Sequence, residues 1–115
     1  MPEAHIFSTE ATPWTGNDLA ADARIKVFES RQTHPNASVI LVELKVGGVV
    51  GTHHHEKEIE TVYVLAGQGL LTHGEAQSAL TAGMGASIPV GLPHGLRNTG
   101  DVPVTLIAIH TPPTR

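Results

Sequence analysis

The residues most able to do chemistry lie in one short segment. Positions 53–60 read His-His-His-Glu-Lys-Glu-Ile-Glu. Because successive side chains of a β-strand point to opposite faces, we expect His53 and His55 to share a face and His54 to point away. Glu60 follows a short bend, opens the next strand and adds a carboxylate. Two imidazoles and one carboxylate on adjacent strands can bind a metal ion and leave positions open for water, oxygen or substrate.

A fourth metal ligand is available further along the chain. His94 follows the segment 89–93, Pro-Val-Gly-Leu-Pro, whose two prolines form a rigid turn that can aim the imidazole. The chain has no cysteine, so nitrogen and oxygen donors dominate. The expected cofactor is therefore one divalent metal ion per chain. Iron, manganese, nickel, cobalt, zinc and copper all suit such ligands.

Histidine is unusually frequent in this chain. There are eight histidines against seven lysines and arginines together. A single histidine is usually a surface or hydrogen-bonded residue, and this role is expected for His5 in the N-terminal arm, His34 in a polar loop and His73 beside a hairpin turn. His110 ends the last predicted strand, where it either lines a cavity or caps the barrel surface. The sequence leaves both possibilities for His110 open.

Composition excludes several classes of function. A chain of 115 residues has the size of one domain. The absence of cysteine excludes a disulfide scaffold, a thiolate zinc site, an iron–sulfur cluster and a cysteine nucleophile. With a formal net charge of −4 and four aromatic residues, neither nucleic acid nor a membrane is an expected partner. No signal peptide or membrane span is recognisable, so the expected location is cytoplasmic.

Short β-branched runs between turns predict an all-β fold. Eleven of the twelve glycines lie between Gly47 and Gly100, which makes this region dense in turns. The predicted strands span residues 24–28, 38–46, 61–65, 70–73, 77–80, 86–88, 94–98 and 102–110. A helix is considered only for residues 15–23, and the proline-containing end, 111–115, is expected to be frayed. Many short strands at this spacing indicate a sandwich or a barrel.

Two spacings carry a resemblance to a known family. They are Gly47-x5-His53-x-His55-x4-Glu60-x6-Gly67 and Gly83-x5-Pro89-x-Gly91-x2-His94-x3-Asn98. At every defining position, and in this order, they resemble the two motifs of the cupin superfamily. The fifteen residues between the motifs resemble the spacing of small single-domain bacterial cupins. The resemblance extends over about residues 24–112.

This resemblance implies both a fold and a metal site. The implied fold is a double-stranded β-helix, a jelly-roll-type barrel, in a single domain of residues 1–115 with an N-terminal arm (1–23) and a barrel core (24–112). The implied ligands of one divalent metal ion are His53, His55, Glu60 and His94. The family glycines would serve tight turns, and Asn98 a turn after the ligand strand. Small cupins commonly form homodimers through edge strands and an N-terminal arm, which here would present Ile6, Phe7 and Trp14.

The expected activity follows from a metal ion with open positions inside such a barrel. The leading interpretation is a metal-dependent, dioxygenase-type enzyme acting on a small organic molecule. Strand parity predicts apolar pocket walls from Val62, Val64 and Leu96, and it places Tyr63 and Arg97 on the outer face. Such walls favour a partly hydrophobic substrate over a sugar.

Two other functions stay open at this point. A metal-dependent isomerase or epimerase would share the motif pair, although the sequence offers few acid–base groups beyond the ligands. Glu56 and Glu58, on either side of Lys57, are expected to be solvated loop residues rather than catalytic groups. A non-enzymatic barrel that binds or senses a small ligand is the remaining possibility.

Overall fold

The computed structural model of the chain describes residues 3–16 and 20–115. Within these residues the secondary structure consists of ten β-strands and no helix. The strands are β1 (Thr15–Gly16), β2 (Ala23–Glu29), β3 (Ser38–Leu44), β4 (Val49–His53), β5 (Ile59–Ala66), β6 (Gln68–His73), β7 (Ala76–Thr81), β8 (Gly85–Ile88), β9 (His94–Asn98) and β10 (Val104–Thr111). The prediction of an all-β fold is confirmed.

The strands form two antiparallel sheets that enclose a common core. One sheet has six strands in the order β1-β2-β3-β10-β5-β8, and the other has four in the order β4-β9-β6-β7. Buried side chains of both sheets, such as Val42 and Leu106 from the larger and Leu71 and Leu80 from the smaller, form one hydrophobic cluster. Each fully buried aliphatic side chain contributes about 1.5–3 kcal/mol to folding. This arrangement is the predicted double-stranded β-helix.

Strand direction gives the barrel an apolar end and a polar end. Strand β10 lies antiparallel to both β3 and β5, so the starts of β3 and β5 meet the end of β10. At the opposite end, Leu44, Val64 and Val104 are fully buried and close the core. At the polar end, His110 is paired with Ser38 on one side and Glu60 on the other. The topology therefore gathers polar residues that are far apart in the sequence.

Asn98 joins the two sheets at the apolar end. It is the last residue of β9, and its side chain is buried. Its Nδ2 donates to the carbonyl oxygens of Leu44 and Lys45, each at 3.1 Å, and of Val102 at 2.9 Å. Its Oδ1 accepts a hydrogen bond from the Gly100 backbone N–H at 2.9 Å. The predicted turn residue thus also connects the smaller sheet to the end of β3.

The N-terminal arm packs against its own chain. The ring of Phe7 stacks on Phe28 of β2, with 4.7 Å between the centroids. The ring of Trp14 lies 4.0 Å from the guanidinium carbon of Arg24 and 4.8 Å from Lys26 Nζ. These contacts bury part of the arm on the outer face of β2. Homodimer formation through the arm stays a prediction.

Two local predictions are wrong. The candidate helix at 15–23 is not formed in the described part: Thr15–Gly16 pair with β2, and Ala23 begins β2, while residues 17–19 lie outside the described residues. The segment 111–115 is not frayed, because Thr111 ends β10 and the Thr114 N–H donates to Ser38 Oγ at 3.1 Å. In both segments a neighbouring strand or loop supplies hydrogen-bond partners that local propensity does not reveal.

In the part of the chain covered by residues 3–16 and 20–115, no helical segment has the length and hydrophobicity that a membrane span requires.

We predict that Asn98→Ala lowers the free energy of unfolding by about 2–4 kcal/mol, because it leaves buried carbonyl groups without a donor. Urea unfolding followed by circular dichroism measures this change. The matched control is Asn36→Ala in an exposed loop, which should alter stability by less than about 0.5 kcal/mol. Equal stability of the two variants would contradict the role given to Asn98.

Candidate metal centre

The four residues expected to bind a metal ion meet at the polar end of the barrel. One ligand atom from each of His53, His55, Glu60 and His94 lies within 4.8 Å of the others. His53 ends β4, His94 begins β9 and Glu60 is the second residue of β5. His55 lies in the loop between β4 and β5. A cluster of three imidazoles and one carboxylate at this spacing could hold one metal ion.

The strands that carry these residues are arranged differently from the expectation. His53 and Glu60 are not on adjacent strands, because β4 and β5 belong to different sheets. The strand neighbour of His53 is His94, and the centroids of their rings are 4.4 Å apart. His55 does not share a face with His53 through strand alternation, since β4 ends at His53. The loop instead turns the His55 ring to within 5.1 Å of the His53 ring.

The hydrogen bonds of His53 leave one ring nitrogen directed at the cluster. Its Nδ1 lies 2.8 Å from the carbonyl oxygen of Gly51. A carbonyl can only accept, so Nδ1 carries the proton and Nε2 carries a lone pair in the neutral ring. Nε2 is buried and has no hydrogen-bond partner among the described residues. In histidine metal ligands, the ring nitrogen that does not bind the metal usually donates a hydrogen bond, which fixes the orientation of the ring. The Nδ1 contact of His53 has this role and leaves Nε2 able to bind a metal ion.

His94 faces an acceptor at each ring nitrogen. Its Nδ1 is 2.9 Å from the carbonyl oxygen of Leu92, and its Nε2 is 3.3 Å from Glu60 Oε1. Burial lowers the pKa of His94, but the hydrogen bonds to Glu60 and Leu92 outweigh burial and raise the pKa above 6.5. Without a metal ion, satisfying both acceptors requires an imidazolium. A cation bound at Nε2 would replace that proton.

Glu60 is the centre of the cluster. Its Oε1 lies 2.9 Å from Nε2 of His55, 3.3 Å from Nε2 of His94 and 2.9 Å from Nε2 of His110. Burial raises the pKa of the Glu60 carboxyl, but the hydrogen bonds from His110 and His94 outweigh burial and hold the pKa well below 4.5. Glu60 is therefore a carboxylate at neutral pH, as metal ligation requires.

For His55, unlike His94, burial is the effect that determines the direction of the pKa shift. It lowers the pKa of His55 below 6.5, although Glu60 opposes this shift. His55 therefore favours the neutral form that can ligate a metal ion. The cluster thus combines a carboxylate with imidazoles whose ring nitrogens lie close to it, and these groups fit a divalent first-row ion.

A cavity of about 380 Å³ lies beside the cluster. Its apolar walls come from both sheets and consist of Ile40, Val42, Val50, Val62, Leu71, Leu80, Ile88, Leu96, Leu106 and Ala108. The predictions that Val62 and Leu96 line the pocket are confirmed. The prediction for Val64 is wrong, because Val64 is fully buried at the closed end of the barrel. Tyr63 and Arg97 are exposed on the outer face, as predicted.

Two further polar residues, His110 and Glu58, belong to the cavity. His110 lines the cavity, which settles the two possibilities left open for it. Its inward direction continues the alternate burial of Val104, Leu106 and Ala108, a pattern readable from β10. The prediction for Glu58 as a solvated loop residue is wrong, because its Oε2 is buried and its side chain lines the cavity.

Arg31 and Arg115 also line the cavity. No local pattern connects these two positions, because they are brought together by chain ends and loops of distant strands. Only the assembled barrel shows that they share the cavity with Glu58.

The other histidines and Glu56 contribute no ligand atom to the metal cluster. His54 is half exposed, and its Nε2 is 3.9 Å from Oε1 of the exposed Glu56. Polar partners satisfy the rest: His5 pairs with Glu29, His73 with Ser78, and His34 Nδ1 accepts hydrogen bonds from the backbone N–H groups of Asn36 and Ala37. The outward direction of His54 and the ordinary roles of His5, His34 and His73 are confirmed.

We predict a pH-dependent stability difference between Glu60→Gln and wild type in the metal-free protein. Above about pH 4.5 the variant should be less stable by about 1–3 kcal/mol, because it loses a charged acceptor for three histidines. Since the folded-state pKa of Glu60 is lowered, this stabilisation is lost as pH falls from 4.5 through the folded-state pKa. Urea unfolding between pH 3 and pH 7 measures the difference.

The control for this experiment is Glu56→Gln, whose side chain is 83% exposed. It should follow wild type within about 0.5 kcal/mol at every pH. A difference for Glu60→Gln that stays constant with pH would contradict the assigned charge state.

Comparison with known proteins agrees with the geometry. A model of the Cupin domain family matches residues 40–110. An oxalate-binding protein of Thermotoga maritima is 28% identical over 109 residues, which cover 90% of each chain. A mannose-1-phosphate guanylyltransferase of Klebsiella pneumoniae is 31% identical over 77 residues. This match covers 67% of the chain but spans only 16% of the length of that relative.

Solved structures show the same fold. An RmlC-like cupin from Shewanella frigidimarina superposes with a TM-score of 0.83 at 18% identity, covering 98% of this chain and 95% of the other. At this identity the likeness concerns the fold. The family match extends over more than half of the sequence and includes all four residues of the cluster. The chain belongs to the cupin family.

Proposed function

We propose that this chain is a metal-dependent oxygenase that acts on a small, partly hydrophobic organic molecule. The observation that carries the proposal is the position of the cluster. Ligand atoms of three histidines and a glutamate, all within 4.8 Å of one another, border a cavity of about 380 Å³ with mostly apolar walls. A cavity of this size suits a small ligand.

In this proposal His53, His55, Glu60 and His94 bind one divalent ion. These four side chains would hold the ion at the border of the cavity, where a substrate could approach it. When bound, the ion would supply Lewis acidity and, if it is iron, manganese or copper, electron transfer.

The remaining residues of the site orient and shield the reacting groups. His110 Nε2 lies 2.9 Å from Glu60 Oε1 and so holds the carboxylate in place from the side of β10. Val62, Leu96 and Ala108 belong to the wall that would contact the hydrocarbon part of a substrate and exclude water. A diketone, a catechol or a hydroxy acid has oxygen atoms on nearby carbon atoms and a small carbon skeleton. Such a molecule therefore matches a cluster of metal ligands beside an apolar wall.

A ligand-binding barrel without turnover is the second candidate. It is favoured by the similarity to the oxalate-binding protein, which covers 90% of both chains. In that case the same cluster and cavity would bind a small chelating ligand, and no product would form. Oxygen consumption separates the two candidates.

We predict that the metal-loaded protein consumes oxygen with at least one member of a panel of diketones, catechols and hydroxy acids. The protein should be tag-free and loaded in turn with iron, manganese, cobalt, nickel, copper and zinc. Combined His53→Ala and His94→Ala substitution should lower the rate at least about a hundredfold, because two ligands are lost. An oxygen electrode measures the rate, and mass spectrometry identifies the product.

His5→Ala is the matched control, since His5 lies in the N-terminal arm and pairs with Glu29 rather than with any residue of the cluster. Its oxygen consumption should stay within about twofold of wild type, and circular dichroism should show the β-fold in all variants. Tight binding of a panel member without oxygen consumption under any metal ion contradicts the oxygenase and supports the binding barrel. Conversion of a panel member into a product of unchanged mass, without oxygen consumption, would identify an isomerase.

A further inference from the structure

The polar end of the cavity contains two arginines that the metal cluster does not use. Arg31 precedes β3, and Arg115 follows β10. Because the start of β3 lies beside the end of β10, both side chains reach the same end of the barrel. Both line the cavity that also borders His53, His94 and Glu60. A ligand that fills this cavity can therefore meet the metal cluster and the arginines at once.

Backbone contacts hold the two arginines near each other. The backbone N–H of Arg31 donates to the backbone oxygen of Arg115 at 2.7 Å. The Arg31 Nη2 donates to the carbonyl oxygen of Pro113 at 3.3 Å. Hydrogen bonds between Thr114 and Ser38 Oγ bind the same segment to the start of β3. These contacts fix the segments that carry Arg31 and Arg115 next to each other at the polar end.

The guanidinium groups have donors available for a ligand. Arg115 Nε is buried and has no acceptor within hydrogen-bond distance in the described part of the chain. No carboxylate among the described residues forms an ion pair with Arg31 or Arg115. A buried donor without a partner costs about 1–3 kcal/mol, which an incoming acceptor would recover.

The charges of the cavity favour an anion. Its charged side chains, apart from histidine, are Arg31, Arg115, Glu58 and Glu60, so their formal charges cancel. A divalent ion on the cluster would make the cavity net positive. The mostly apolar walls and the volume of about 380 Å³ restrict this anion to a small organic molecule. A carboxylate fits best, because its two oxygens match the planar fork of a guanidinium group.

We propose that Arg31 and Arg115 form a carboxylate-binding subsite, and that the ligand of the cavity is a small organic acid whose neighbouring oxygen atoms reach the metal cluster. The proposal rests on the proposed function, since it names the substrate class of the same site. Arg115 donates through Nε to the carboxylate, and Arg31 adds a second cation at the rim. The apolar walls contact the rest of the molecule.

The test compares two ligands of nearly equal shape on the metal-loaded protein. Pyruvate and diacetyl both have oxygen atoms on two neighbouring carbon atoms and a methyl group, but only pyruvate is an anion. Isothermal titration calorimetry should show that Arg31→Gln and Arg115→Gln each weaken pyruvate binding by about tenfold or more. Diacetyl binding should change by less than about twofold. Arg115→Lys should recover part of the pyruvate affinity, because it keeps the charge without the fork.

The matched control is Arg97→Gln on the exposed face of β9, which should bind pyruvate like wild type. Metal content and thermal unfolding are measured for every variant, so that loss of the ion or of the fold is seen directly. Pyruvate affinity that is unchanged in both cavity variants overturns the proposal, as does wild-type binding of pyruvate that is no tighter than binding of diacetyl. Equally strong, arginine-dependent binding of inorganic phosphate also overturns it.

These outcomes are separate from those of the proposed function. A protein that binds pyruvate through the arginines but consumes no oxygen keeps the subsite and loses the oxygenase. A protein that takes up no metal ion in the elemental analysis loses the proposed metal site, whatever the arginine variants show.

Discussion

The structure depends on one largely buried carboxylate, 13% exposed, that three histidines share. Glu60 Oε1 accepts contacts from His55, His94 and His110, which come from a loop, from the smaller sheet and from the larger sheet. A buried charge is tolerated only when it is paired or hydrogen-bonded. The barrel must therefore bring these elements together accurately, and the same convergence produces a pocket of nitrogen and oxygen donors. Folding and site formation are thus two consequences of one constraint.

The two ends of the barrel contribute differently: one end stabilises the fold, and the other contains the candidate metal site. Leu44, Val64 and Val104 fill one end, where Asn98 connects the sheets. The other end contains the cluster and the charged residues at the rim, which contribute less to the hydrophobic core. Residues at such a rim can change the chemistry of a site while the closed end preserves the fold.

Sequence reasoning succeeded where local patterns have direct physical meaning. β-branched runs and turn glycines predicted eight strands that are present within a few residues of their expected bounds. The motif spacings indicated the four residues that the structure brings together. Predictions were wrong where tertiary contacts determine the position of a residue. The loop before β5 turns Glu58 towards the cavity, and a hydrogen bond from the Arg31 backbone fixes the position of Arg115. The sheet partner of His53 also required the barrel, because β4 and β5 separate into different sheets.

His53, His55, Glu60 and His94 should together bind one metal ion. Anomalous diffraction from crystals of the tag-free, metal-loaded protein, recorded at the absorption edge of the metal, tests it most directly. We expect one peak per chain, about 2.0–2.2 Å from a nitrogen of each of His53, His55 and His94 and from a Glu60 oxygen. Absence of a peak for every first-row ion, with Glu60 still hydrogen-bonded to His55, His94 and His110, would contradict it.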